Sequence, residues 1–194
     1  DVISPSVFLD ISKRIKRYAD LEKQLIKKCF EHLTEDPNLV LSINLSSRDM
    51  IDGDVSALVL NLLNKHNVAG RIVFEIVEDE ELKSAERVSV FIERAKSMGA
   101  MIAIDDFGSG YSNFSYIIKI KPDYVKIDGS IIKDIDINKD SYAIASAIVA
   151  FAKDLGIKTI AEYVHSKEIF NVCKEIGIDE FQGFYLGTPS KKAF

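Results

Sequence analysis

Short apolar runs alternate with segments in which apolar residues recur every three or four positions, and this alternation continues along the chain. Continuous runs of Val, Ile, Leu and Phe are typical of strands covered on both faces of a parallel sheet. The runs predict strands over Leu39–Leu45, Arg71–Val77, Ala100–Asp105, Tyr124–Ile127, Lys158–Ala161 and Glu180–Tyr185. The periodic segments predict helices over Pro5–Arg17, Asp20–His32, Val55–His66, Ala85–Met98, Ser112–Lys119, Ser141–Leu155 and Lys167–Ile176.

Repeated strand–helix units predict a parallel α/β fold. An open doubly wound sheet is one solution, but no Gly-x-Gly-x-x-Gly fingerprint follows the first strand. Polar residues recur where the strands end, and barrels place their chemistry on that face, which favours a TIM-like (β/α) barrel. Six predicted strands are fewer than eight, so we expect a single domain over residues 1–194 that is incomplete at the N-terminus.

Composition narrows the class of protein. The 194 residues are 47% hydrophobic and 28% charged with a net charge of −5, which argues against a DNA- or RNA-binding protein. Cys29 and Cys173 are far apart and form no metal-binding motif, so we expect reduced thiols. The sequence has no stretch typical of a membrane span or signal peptide. We therefore expect a cytoplasmic domain without direct membrane insertion, although the parent protein could be membrane-anchored.

Polar side chains occur at the end of each predicted strand. Asp105 and Asp106 are adjacent where an apolar run meets the glycine-containing loop 107–110, and a turn there would let both carboxylates converge. The complete set of strand-end candidates is Asn44, Glu75, Asp105, Asp106, Lys126, Asp128, Glu162 and Gln182. Carboxylate and amide oxygens are the ligands that Mg²⁺, Mn²⁺ and Ca²⁺ prefer.

Each candidate also has a structural interpretation when taken alone. Asn44 would cap a turn, Glu75 would be a charge at the rim, and Glu162 would be a solvated residue at the end of its strand. Lys126 would form an ion pair with Asp128 or Glu75, with no role in chemistry. A barrel favours the functional interpretation because it brings successive strand ends together.

The ordered set of motifs resembles the EAL family of cyclic-di-GMP phosphodiesterases. The matching segments are Ser-Ile-Asn-Leu-Ser (Ser42–Ser46), Glu-Ile-Val-Glu (Glu75–Glu78), Asp-Asp-Phe-Gly-Ser-Gly-Tyr-Ser-Asn (Asp105–Asn113), Pro-Asp-Tyr-Val-Lys-Ile-Asp (Pro122–Asp128), Ala-Glu-Tyr-Val (Ala161–Val164) and Gln-Gly-Phe-Tyr-Leu-Gly-Thr-Pro (Gln182–Pro189). Ile3–Phe8 resembles the segment that follows the Glu-Ala-Leu signature, so we expect the first barrel strand or strands to precede it.

The resemblance implies metal-dependent hydrolysis of cyclic-di-GMP to linear pGpG in bacterial second-messenger signalling, with two Mg²⁺ or Mn²⁺ ions. It implies that Asn44, Glu75 and Asp105 bind one ion and that Asp105 bridges to a second ion held by Asp106. The implied catalytic residues are Glu162, as ligand or general base, and Lys126, which would orient the attacking water. The implied supporting or substrate-binding residues are Glu78, Asp128 and Gln182.

Departures from the family pattern give an alternative function. The Glu-Ala-Leu signature is absent from this sequence, and with it a metal-binding glutamate, so we expect weak or absent hydrolysis by this chain. Val77 replaces a threonine, Tyr163 replaces a glycine and His165 replaces a glutamate of the family pattern. The alternative is therefore a catalytically degenerate EAL module that acts as a cyclic-di-GMP receptor or a docking domain.

Two further partners follow as expectations. Exposed sheet edges in an incomplete barrel favour self-association, so a homodimer is one expected state. Family members often follow a GGDEF, sensor or membrane-anchoring domain, and the resemblance implies such an upstream domain in the parent protein.

Overall fold

A parallel sheet with sequential strand order forms the framework. The computed structural model describes residues 18–77, 85–110 and 114–190. Within these ranges the strands are β1 (Leu41–Asn44), β2 (Ile72–Val77), β3 (Met101–Phe107), β4 (Tyr124–Ile127), β5 (Lys158–Ala161) and β6 (Glu180–Phe181). Each strand pairs in parallel with the next along the chain. A doubly wound sheet reverses its strand order at a switch point, and this sheet does not, so the prediction of a TIM-like barrel architecture is confirmed.

Helices connect the strands. They are α1 (Tyr18–Glu35), α2 (Ser47–Ile51), α3 (Gly53–His66), α4 (Ala85–Ser97), α5 (Phe114–Ile120), α6 (Gly129–Ile132), α7 (Lys139–Asp154) and α8 (Lys167–Glu175), with a 3₁₀ turn at Ala69–Arg71. The predicted helix over Pro5–Arg17 lies outside the described residues. The short helices α2 and α6 were not predicted. Each has a capping signal, since Ser46 and Asp49 form a capping box and Asp128 accepts a hydrogen bond from the Ser130 amide.

The core lies between the sheet and the helices. Phe74, Ile102, Ile104 and Phe107 are almost completely buried, as expected for strands covered on both faces. At the amino ends of the strands, Asp123 accepts hydrogen bonds from the Ile102 amide and from Lys96. These contacts stabilise the amino end of the sheet, and the polar strand-end residues lie at the opposite, carboxyl end. None of the helices in the described ranges has the length and apolar character needed to cross a membrane.

Candidate metal centre

A bulge at the end of β3 brings two neighbouring aspartates to the same edge of the sheet. Ile104 pairs with Val125 and Phe107 pairs with Ile127, so β3 advances three residues while β4 advances two. Asp106 adopts a left-handed backbone conformation with φ of 55°. In a regular strand the two side chains would point to opposite faces. The bulge removes this alternation, which explains how adjacent carboxylates converge as the sequence led us to expect.

Three carboxylates form a cluster at the carboxyl ends of β3 and β5. One oxygen from each of Asp105, Asp106 and Glu162 lies within 4.8 Å of the others, and all three residues are half-buried. Glu162 is placed by its own amide, which donates a hydrogen bond to the Ile127 carbonyl of β4. We call Asp105, Asp106 and Glu162 the carboxylate cluster.

A buried ammonium group connects the carboxylate cluster to β2. Lys126 Nζ lies 3.0 Å from Glu75 Oε2, 2.7 Å from Asp105 Oδ1 and 2.9 Å from Glu162 Oε1. The Lys126 side chain is only 4% exposed. Burial alone would lower the pKa of Lys126, but hydrogen bonds to Asp105, Glu162 and Glu75 outweigh burial and raise it above the ordinary value. Lys126 is therefore a permanent cation at neutral pH.

The negative charge of this region exceeds the charge of its lysine. Burial raises the pKa of Asp106, and the neighbouring carboxylates of Asp105 and Asp128 raise it further. Burial also raises the pKa of Glu162, although the contact with Lys126 partly offsets this effect. Raised carboxyl pKa values indicate that additional positive charge would stabilise the ionised forms. The arrangement is suited to binding a cation.

The donor atoms and their spacing fit a hard divalent ion. Oxygen ligands lie about 2.1 Å from Mg²⁺, so two oxygens on opposite sides of an ion are separated by about 4.2 Å. Oxygens of the carboxylate cluster already lie within 4.8 Å of one another, so small side-chain movements would suffice. Because the donors are all carboxylates, Mg²⁺, Mn²⁺ or Ca²⁺ suits them better than a metal that prefers sulfur or nitrogen.

The remaining predicted site residues lie at the same edge of the sheet or outside the described ranges. Asn44 is paired in register with Glu75, which puts it next to Glu75 at the end of β1. Asp128 caps α6 and also interacts with Asp106. Gln182 directly follows β6, where its amide donates a hydrogen bond to the Ala161 carbonyl and its side chain is exposed. Glu78 lies outside the described residues.

Sequence reasoning did not anticipate the fit between Tyr163 and Gly129. Tyr163 follows Glu162 and has a left-handed backbone with φ of 59°. A Cβ atom at Gly129 would lie 2.8 Å from the Tyr163 Cβ, so the glycine is what allows the close approach. The sequence offered one signal for it. Tyr163 stands where the motif of the EAL family has a glycine, and glycine is the residue that tolerates a positive φ best.

Comparison with known proteins decides the family. The model of the EAL domain matches residues 1–189. The chain belongs to the EAL domain family. The cyclic di-GMP phosphodiesterase PdeB of Shewanella oneidensis is 30% identical to this EAL domain over 197 residues, which cover 99% of this chain and 23% of PdeB. The cyclic di-GMP phosphodiesterase PdeF of Escherichia coli is 29% identical over 97% of this chain and 26% of its own length.

Solved structures agree with the fold of this EAL domain. The PaMucR phosphodiesterase in its c-di-GMP complex superposes with a TM-score of 0.86 at 27% identity, covering 96% of this chain and 78% of PaMucR. BlrP1 of Klebsiella pneumoniae, solved as a manganese and cy-diGMP complex, gives a TM-score of 0.79 at 26% identity over 87% of this chain and 44% of its own. The EAL domain spans about a quarter of the length of the curated relatives that it matches.

Proposed function

We propose that this EAL domain binds cyclic-di-GMP and hydrolyses one of its phosphodiester bonds to give linear pGpG, with divalent cations as cofactors. The observation that carries the proposal is the buried contact of Lys126 with Glu75, Asp105 and Glu162, next to a further carboxylate on Asp106. Burying these charges costs free energy unless they act together or bind ions. The relatives named as cyclic di-GMP phosphodiesterases support the substrate.

The residues proposed to hold the ions are Asn44, Glu75, Asp105 and Asp106, with Glu162 beside them in the carboxylate cluster. Two bound Mg²⁺ or Mn²⁺ ions would neutralise phosphate charge and lower the pKa of the attacking water. The manganese complex of BlrP1 supports a divalent ion in this family. A net-acidic domain with a charge of −5 would thereby bind an anionic dinucleotide through its cations.

The protein side chains would orient the reactants and move a proton. Lys126 contacts Glu75, Asp105 and Glu162 at once, so it would hold the three carboxylates in place beside the bound ions. The raised pKa of Glu162 suits it to accept the proton of the attacking water. Asp128 would support Asp106 from the start of α6, and Gln182 would contact the substrate from the end of β6.

Two departures from the family pattern bear on the rate. Tyr163 and His165 stand where the pattern has a glycine and a glutamate, so we propose that this chain binds cyclic-di-GMP better than it hydrolyses it. For the parent protein we propose phosphodiesterase activity, a cytoplasmic location and an upstream GGDEF or sensor domain. The relative MucR of Pseudomonas aeruginosa, named as a bifunctional diguanylate cyclase and phosphodiesterase, supports such an arrangement. A homodimer of the EAL domain is a further proposal.

A receptor without catalysis is the second candidate. Tyr163 and His165 favour it, because they stand one and three residues after Glu162, where the family pattern has a glycine and an acid. Such a module would bind cyclic-di-GMP and leave it intact.

One pair of measurements separates the candidates. Calorimetry with Mn²⁺ measures cyclic-di-GMP affinity, and chromatography of the same samples measures pGpG. Binding with slow pGpG release supports the enzyme, and binding with no product after prolonged incubation supports the receptor. Asp105→Asn should abolish product release, whereas Asp136→Asn, the same change at an exposed position, should have no effect. Failure of the wild-type domain to bind cyclic-di-GMP in the presence of Mn²⁺ would refute both candidates.

A further inference from the structure

Tyr163 has a backbone conformation that its side chain does not favour. Its φ is 59°, in the left-handed region where a Cβ atom crowds the following carbonyl oxygen. Glycine adopts this conformation without that crowding. A tyrosine here is therefore less favourable for folding than a glycine, unless its ring compensates through contacts.

Burial of the ring does not supply that compensation. Tyr163 is 61% exposed to solvent. Its ring meets the His165 ring edge to face, with the centroids 5.5 Å apart. The imidazole Nδ1 of His165 also lies 3.2 Å from the Tyr163 carbonyl oxygen. These contacts place the His165 ring against one side of the Tyr163 ring and leave most of the tyrosine exposed.

The ring lies at the edge of the sheet that carries the candidate metal centre. Tyr163 directly follows Glu162 of the carboxylate cluster at the end of β5. It packs against Gly129 at the start of α6, where any larger residue would collide with it. The residue before Gly129 is Asp128, which interacts with Asp106. Tyr163 thus presents an exposed aromatic ring at the same edge of the sheet as the candidate metal centre.

We propose that the Tyr163 ring is a stacking platform for one guanine base of the bound dinucleotide. The proposal rests on the proposed binding of cyclic-di-GMP. Proteins that bind unpaired bases use exposed aromatic side chains as surfaces on which the bases stack. The proposed metal ions would contact the phosphates of the dinucleotide, and this ring would supply a contact to a base. Stacking would explain why a tyrosine occupies a position whose backbone conformation favours glycine.

Variants at position 163 separate the ring from the backbone. Tyr163→Ala removes the ring and keeps a Cβ, whereas Tyr163→Gly removes the ring and also relieves the left-handed conformation. We expect Tyr163→Gly to raise the melting temperature, and both variants to lose roughly 5- to 100-fold in affinity for cyclic-di-GMP. Tyr163→Phe should bind like the wild type. Mn²⁺ affinity measured without nucleotide should be unchanged in all of them, and Tyr142→Ala, at an exposed tyrosine of α7, serves as the control.

A fluorescence measurement tests stacking directly. The sequence contains no tryptophan, so Tyr163→Trp introduces a single indole at the proposed platform. Cyclic-di-GMP should quench its emission, with half-saturation at the concentration that calorimetry gives for the same variant.

Three results would overturn the proposal. Unchanged affinity in Tyr163→Ala, beside a wild-type domain that binds, would refute stacking and leave the proposed function intact. Loss of affinity confined to Tyr163→Gly would assign the effect to backbone freedom. Absence of binding by the wild-type domain would refute the proposed function and the platform with it.

Discussion

Lys126 Nζ lies 2.7 Å from Asp105 Oδ1, which is the shortest of its three contacts with carboxylates. The two residues belong to neighbouring strands, and the pairing of Ile104 with Val125 sets Asp105 level with Lys126 on the same face of the sheet. This contact joins β3 and β4 at the edge where the chemistry is proposed. The stability of the sheet should therefore depend on the charges of Lys126 and Asp105, and substitutions at these two residues test this.

Replacing Lys126 with methionine should destabilise the domain and abolish cyclic-di-GMP hydrolysis. Methionine fills similar space but leaves Glu75, Asp105 and Glu162 without their common cation. Removing one partner of a buried ion pair costs about 3–5 kcal/mol, so urea denaturation should show a loss of this size. Lys158→Met is the control, since Lys158 is exposed on β5 and contacts Glu180 at 3.6 Å. Added Mn²⁺ should restore part of the lost stability, and a Lys126→Met variant as stable as the wild type would contradict this account.

Asp105→Asn and Asp106→Asn should differ in stability and agree in metal binding. Both changes remove an anionic ligand, so each should weaken Mn²⁺ binding by at least about 10-fold. Of the two aspartates, only Asp105 forms an ion pair with Lys126, so Asp105→Asn should destabilise the metal-free domain. Burial and nearby carboxylates raise the pKa of Asp106, so neutralising it should leave the metal-free stability equal or higher. Calorimetry with Mn²⁺ measures the metal affinity of each variant, and thermal unfolding without metal measures its stability. Equal destabilisation by both variants would argue against a stabilising contact that Asp105 makes and Asp106 does not.

The sequence predicted the sheet well because each strand is a continuous apolar run covered on both faces. It predicted less where the backbone departs from regular geometry. The last strand was predicted to reach Tyr185 but ends at Phe181, because Gly183 lies directly against the backbone of Val164 and the chain turns there. The left-handed conformation of Asp106 and the simultaneous contact of Lys126 with three carboxylates depend on tertiary packing. Neither has a local sequence signal.

Arg71→Lys should destabilise the domain because one guanidinium group joins three backbone carbonyls. Its nitrogens donate to the Leu33 and Asp36 carbonyls at 2.7 Å and to the Leu39 carbonyl at 3.0 Å. An ammonium cannot reproduce this planar arrangement. We expect a loss of about 2 kcal/mol in the free energy of unfolding, measured by urea denaturation. Arg94→Lys, at an exposed position of α4, should change stability little. Equal effects of the two changes would show that the three carbonyl contacts do not stabilise the fold.

Glu22 should make the domain less stable as pH rises toward neutrality. It is only 6% exposed on α1. Burial raises its pKa to about 7, the nearby Asp49 carboxylate adds to this effect, and a hydrogen bond with Tyr18 opposes it. The folded state then binds more protons than the unfolded state between the ordinary glutamate value of 4.5 and about 7. Stability therefore falls as pH rises through this interval and is constant above it.

Glu22→Gln should remove this dependence by keeping the side chain neutral. At pH 8 we expect the variant to be more stable than the wild type by on the order of 2–3 kcal/mol, and at pH 4.5 the two should be nearly equal. Glu31→Gln, at an exposed position of the same helix, is the matched control and should follow the wild type at each pH. Urea denaturation from pH 4.5 to 8 measures the difference. A constant difference between Glu22→Gln and the wild type across that range would show that the Glu22 carboxyl does not titrate with folding, because only a pKa that differs between the two states makes the difference depend on pH.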